Sequence, residues 1–276
     1  MVGIYLARGM LVGILAGLLA FGVATLIGEP SVERAIAFEA AHGQSTGGHE
    51  HHDAVATPDA AEAAHSHRHH GAEAADEEEE LFSRGTQSGW GLLTGLLVYG
   101  AAVGGMFALA YAYAQGRMGA LGPRGLAAVL ALLGFLAIVL VPGFKYPANP
   151  PAVGDADTIQ QRTAFYFMLL VLSLAAMAAA VGMARRLTAR WGVWNAALAG
   201  GALFLAVMAL AGVALPEVNE VPETFPAQLL WRFRIASWGI HATLWAALGL
   251  GFGWLCERAQ GRDAQAVRRG DRPALF

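Results

Sequence analysis

The order of apolar and polar positions divides the chain into six uncharged runs, 9–28, 90–114, 125–142, 164–184, 193–215 and 235–256, separated by polar segments. None of the runs contains Asp, Glu, Lys or Arg. A bilayer core of about 30 Å needs roughly 20 apolar residues in a helix. Backbone polar groups in lipid must be satisfied within the segment, so each run is expected to be helical. The pattern predicts an all-α polytopic membrane protein, a bundle of about six transmembrane helices. The count falls to five if the first helix is cleaved as a leader or miscounted. Arg8 precedes that run, but its apolar stretch exceeds the roughly 7–15 residues of a signal-peptide core, which favours a retained helix. The expected organisation is a first transmembrane helix in 1–28, a polar loop over 29–89, a bundle over 90–256 and a polar tail over 257–276. Gly9, Gly13 and Gly17 place small residues on one face of the first helix, and the pairs Gly91/Gly95 and Gly249/Gly253 repeat that spacing. Such spacing lets helices approach closely in lipid.

Composition sharpens the class. Hydrophobic residues make up 56% of the 276 residues and charged residues 14%. A soluble domain carries about 25% charged residues, so a soluble globular enzyme is excluded. Cys256 is the only cysteine, which rules out an intramolecular disulfide and a thiolate zinc site. With both termini cytoplasmic, the short inner segments hold eleven arginines, among them Arg8, Arg117, Arg185 and Arg258. Eighteen of the twenty-one acidic residues then lie outside. The positive-inside rule selects this orientation. The arginine-rich tail is expected to rest on anionic inner-leaflet lipid.

The 29–89 segment is expected to be a long, disordered, histidine-rich outer loop. It carries eight of the nine histidines: His42, a cluster at His49, Glu50, His51 and His52, and a second at His65, His67, His69 and His70. Neutral imidazole is a good ligand for divalent transition metals, and carboxylates can complete the shell. The spacing does not match a closed zinc site, and no amphipathic period is evident in the segment. The array reads as a metal-capture antenna that binds several ions weakly. The alternative is a solvated low-complexity linker.

Two shorter outer loops stand out. The 142–163 loop has four prolines within ten residues and holds the only lysine, Lys145, beside Tyr146 and Asn149. Proline at that density forbids a helix. The 216–234 loop supplies Glu217, Asn219, Glu220 and Glu223 before Trp231, Arg232, Phe233 and Arg234. These residues suit the mouth of a cation pathway. They also suit interfacial anchoring, with the aromatics and cations at headgroup level. His241 is the only Asp, Glu, Lys, Arg or His residue in any run, and Trp238 and Trp245 share its helical face. An intramembrane ionisable group is a functional candidate by default, although a neutral histidine bonded to a neighbouring helix meets the same pattern.

Taken together, these features resemble the CbtA family of proposed cobalt transporter subunits. The resemblance rests on Arg8-Gly9 before a helix and a histidine-rich loop, on the stretch Phe144-Lys145-Tyr146-Pro147-Ala148-Asn149-Pro150-Pro151-Ala152-Val153-Gly154, and on Phe225-Pro226-Ala227 leading to Trp231-Arg232-Phe233-Arg234-Ile235-Ala236-Ser237. It spans essentially the whole chain. It implies a bacterial inner-membrane component of cobalt uptake serving cobalamin supply, with about five membrane segments and a small single-span CbtB-like partner.

The expected function is therefore divalent metal uptake, with Co(II), Ni(II) or Zn(II) loosely bound or transported and no permanent cofactor. Its partners would be the bilayer, the metal and the small subunit, with no nucleic acid. The alternative is a membrane-anchored metal buffer or sensor without a pathway. A membrane enzyme is disfavoured, because the runs contain no carboxylate and no triad. No phosphate-binding loop of the G-x-x-x-x-G-K type is present to use ATP.

Overall fold

The computed structural model describes residues 2–46, 83–119, 121–154 and 157–269, and among them it contains helices and connecting turns without a strand. Helix α1 (Val2–Val23) passes through a π-helical stretch, Ala24–Gly28, directly into α2 (Glu29–Thr46). The short α3 (Arg84–Thr86) leads through a second π stretch, Gln87–Gly91, into α4 (Leu92–Ala114). Helix α5 (Pro123–Gly134) continues through a third, Phe135–Leu140, into α6 (Val141–Lys145). Helices α7 (Ile159–Ala214) and α8 (Ala227–Arg269) complete the bundle.

Five of these helical rods are long and apolar enough to cross a membrane. The longest is two spans rather than one. A straight 56-residue helix would reach about 84 Å, far beyond the bilayer. At Gly192 the backbone leaves helical geometry with φ 74° and ψ 168°, a left-handed φ that only glycine adopts readily. The two arms fold back on each other. A Cβ placed on Gly200 would lie 2.8 Å from the Ala180 carbonyl oxygen and 3.1 Å from the Ala184 Cβ. Leu169, Ala176 and Ala180 from one arm share a core with Phe204, Met208 and Ala211 from the other. All six apolar runs thus lie on helix, two of them as arms of this hairpin.

Small residues set the closest helix contacts, as expected in lipid, where no hydrophobic force drives helices together. A Cβ on Gly9 or Gly13 would overlap the carbonyl oxygen of Gly104 or Gly100 on antiparallel α4, and one on Gly17 would overlap that of Leu96. Gly249 and Gly253 do the same for α8 against α5, where added Cβ atoms would meet Ala131 at 2.5 Å and the Arg124 Cα at 3.0 Å. The Gly91/Gly95 pair has no such role: Gly95 faces open space, and the partners of α1 are Gly100 and Gly104. Toward the end of the bundle that carries the chain termini, Phe107, Tyr111, Leu248, Phe252 and Cys256 pack into a buried core. Many large apolar side chains point outward, including Leu26, Leu210 and Val213, as a lipid-facing surface requires.

Several stretches expected to be loop or tail are helical. Pro142 lies in the first turn of α6, where proline is tolerated, so the first proline-rich loop is helical up to Lys145 and again from Ile159, while Pro147, Pro150 and Pro151 do lie outside helix. Residues 84–89 and the expected tail as far as Arg269 are helical too. The polar segment was expected to begin at 29, yet α2 carries the helix on to Thr46. The reason is an apolar stripe that the abundance of charge conceals: Gly28, Ser31 and Ala35 are buried at helical spacing, with Val32 and Phe38 beside them half-buried. Ala35 joins Val153, Phe225 and Leu229 in a small core, and the Phe38 ring meets Phe225 edge-on at 5.1 Å. Helix α8 likewise begins at Ala227, so Trp231, Arg232, Phe233 and Arg234 are helical rather than loop residues. Pro226 ends the irregular segment; its carbonyl accepts the amides of Leu229 and Leu230, and no proline follows within the helix.

Candidate functional site

The small core under α2 holds the two proline-rich loops together at one end of the bundle, and beneath them is a cavity of about 360 Å³. Its walls come from α4, α6, α7, α8, the π stretch Phe135–Leu140 and both loops. Interruptions of this kind often mark functional sites; here the third one contributes Ile138 and Val139 to the wall. Close approach matters here too. A Cβ on Gly143 would stand 2.9 Å from the indole nitrogen of Trp238, so only glycine lets α6 sit against that ring.

Several residues expected from sequence converge on this cavity: Tyr146 and Asn149 from the first loop, Asn219 and Glu220 from the second, and His241 from α8. Tyr146 donates its phenolic hydrogen to the Pro216 carbonyl at 2.8 Å, which ties one loop to the other. Burial pushes that phenol above its ordinary range, so it stays a neutral donor. Glu220 is ion-paired to Arg162 at 2.5 Å and also accepts from the Thr158 hydroxyl. Arg162 fits because Gly154, at φ 130°, has no side chain; an added Cβ would lie 2.5 Å from its guanidinium. Arg234 donates to Asn149 Oδ1 at 3.1 Å. His241 lies fourteen residues into α8, about 21 Å along its axis. The Tyr99 ring meets it edge-on at 6.1 Å, and among the described residues its buried Nδ1 has no hydrogen-bond partner.

A second, smaller cavity of about 170 Å³ lies between the α1–α2 junction and α8. Ser237 and His241 line both cavities. Glu29 lines the smaller one and is paired with Arg84 at 2.6 Å, which joins the two helical segments that flank the histidine-rich stretch.

The remaining expected residues fall elsewhere. Lys145 ends α6 outside the cavity lining, and Glu217 and Glu223 are exposed on the second loop. His42 lies on the backbone of α2 with its side chain outside the description, and His49, Glu50, His51, His52, His65, His67, His69 and His70 lie outside the described residues. Among the described residues no group of three His, Cys, Asp or Glu side chains could hold a metal ion. The cavity therefore offers one imidazole, one engaged carboxylate and side-chain amides, not a closed cage. Arg162, Tyr99 and Tyr166 also line it and were not singled out from sequence. Arg162 looks like an ordinary boundary cation beside an apolar run, while the tyrosines count toward the runs themselves.

This is a polytopic α-helical membrane protein with a polar cavity sunk between its helices beneath two ordered loops. The chain belongs to the CbtA family, described as a probable cobalt transporter subunit, whose family model matches residues 2–257. Neither a curated protein nor a solved structure matches it.

Proposed function

We propose that the chain is the membrane subunit of a bacterial cobalt uptake system, and that the cavity is the metal's first station within the bundle. The observation that carries this reading is the convergence of Asn149, Asn219 and Glu220 with His241, whose buried Nδ1 lacks a partner among the described residues. A buried polar nitrogen left unpaired costs free energy, and neutral imidazole is the commonest protein ligand for a metal ion. The loops face the outside in the orientation selected by the arginines, so the cavity opens toward supply. Below it the ring of Trp245 packs edge-on to Phe107, which in turn meets Phe252. Passage inward needs these rings to part.

Glu220 has both oxygens engaged, one by Arg162 and one by Thr158. Metal that has entered the cavity competes with Arg162 for that carboxylate, so the ion pair serves as a latch that metal displaces. Once inside, the membrane potential draws a cation inward with about 2.3 kcal/mol per charge per 100 mV. The histidine-rich stretch acts as an antenna that raises the local metal concentration. Ligand type alone would favour Ni(II) or Cu(II) over Co(II), so selectivity falls to the geometry of the bundle. A small single-span CbtB-like subunit completes the system, a reading that the family's description as a subunit supports.

Radiolabelled cobalt accumulation at nanomolar supply tests the proposal, in cells expressing the full chain with and without the small subunit and with Ni(II) and Zn(II) as competitors. Accumulation above the empty-vector level is expected. A chain that binds cobalt in the membrane and moves none under either condition is instead a buffer or sensor.

A further inference from the structure

We propose that the cavity receives the metal as an anionic chelate, with a small di- or tricarboxylate still attached, and that Arg234 anchors the carboxylate. The inference rests on the metal-transport reading above and specifies its substrate.

The charge of the lining is the first argument. Arg162 and Arg234 stand against a single carboxylate, Glu220, and that carboxylate is already neutralised by Arg162. A bare dication would enter a wall with a net positive charge, whereas a complex carrying negative charge would be attracted to it.

The state of Arg234 is the second. Its guanidinium reaches only neutral acceptors, Asn149 Oδ1 at 3.1 Å and the Ala148 carbonyl at a long 3.4 Å. Among the described residues no carboxylate lies within ion-pair distance of it. A guanidinium has five N–H donors in a planar fork that matches a carboxylate, so Arg234 retains the donors for a bidentate contact.

The third is placement. Arg234 precedes His241 by seven residues, two turns up the same face of α8 and about 10 Å along its axis. The cavity thus has an anion-binding end near its mouth and an imidazole with an unpartnered nitrogen deeper in. Its volume of about 360 Å³ is in the range of small-molecule sites and exceeds the needs of a lone ion. The Tyr99 and Tyr166 hydroxyls on the same lining can donate to further carboxylate oxygens.

The test uses the purified full chain in lipid nanodiscs, with the fluorescence of the cavity residue Trp238 as reporter and Trp238→Phe as the blank. Three probes are titrated: the 1:1 cobalt(II)–citrate complex, cobalt(II) in a non-coordinating buffer, and citrate without metal. We expect the chelate to bind at least about tenfold more tightly than the aquo ion, as one charge-assisted pair allows. Arg234→Gln should erase that preference and Arg234→Lys should keep much of it. Equal binding of chelate and aquo ion, or a preference that survives Arg234→Gln, overturns the inference while the metal site stands. Binding of citrate alone with no response to either cobalt species overturns both readings.

Discussion

Arg162, in the first turn of α7, and Glu220, in the loop before α8, form a 2.5 Å ion pair across 58 residues of chain. The two side chains are only 27% and 12% exposed, so water screens the pair less than it would a surface bridge. Removing either partner leaves the other charge half-buried, at a cost of about 1–3 kcal/mol. Arg162→Gln and Glu220→Gln should each lower thermal stability in detergent, and the double variant should lose less than the two losses combined. A double-mutant cycle measures this coupling; strictly additive losses would mean the pair contributes nothing as a pair.

The glycine contacts give a paired expectation. Gly13 faces the Gly100 carbonyl with no room for a Cβ, whereas Gly95, in an equally suggestive sequence pattern, has open space around it. Gly13→Leu should cost on the order of 3 kcal/mol through overpacking against backbone, and monodisperse protein should largely vanish in fluorescence-detected size exclusion. Gly95→Ala should leave the profile unchanged. Equal tolerance at both positions would contradict the helix contact.

The same contrast shows what sequence can reveal. Spans are legible because exclusion of charge from lipid leaves an unmistakable blank in the chain, and the Arg185, Arg186 and Arg190 cluster marks the turn between the arms of α7. Which glycines touch is not legible, since Gly91/Gly95 and Gly9/Gly13 look alike until a neighbour is present. Helix α2 was hidden because Glu33, Arg34 and Glu39 interrupt the stripe that Ala35 and Phe38 complete. At the cavity, polar side chains in the two proline-rich loops were conspicuous. Arg162 was not, because a cation at the end of a span is ordinary until Glu220 folds over it.

The histidine-rich stretch can be tested apart from the bundle. Helix α2 packs on the loop core through Ala35 and Phe38, so a deletion must start beyond it. Removing residues 47–70 should leave expression intact, weaken cobalt accumulation only at nanomolar supply and leave the high-concentration rate unchanged. Initial rates across a range of cobalt concentrations check this. An equal loss at every concentration would place the stretch on the route rather than ahead of it.

The sharpest expectation concerns His241. It lines both cavities, and among the described residues its Nδ1 has no partner within hydrogen-bonding reach. A histidine kept for packing alone would tolerate an aromatic ring of similar size, whereas a ligand would not. His241→Phe should therefore retain fold and expression while lowering cobalt accumulation at least about tenfold, since even outer partners of a metal site are worth that much. His241→Gln, which keeps a polar donor–acceptor without imidazole, should fall between Phe and the native residue. Cobalt(II) offers a direct readout besides uptake, because its visible absorption changes with coordination by nitrogen. The purified protein lacking residues 47–70 should show a cobalt spectrum that His241→Phe abolishes. A spectrum and uptake unaltered by His241→Phe would return this residue to a structural role and move the metal's path elsewhere in the bundle.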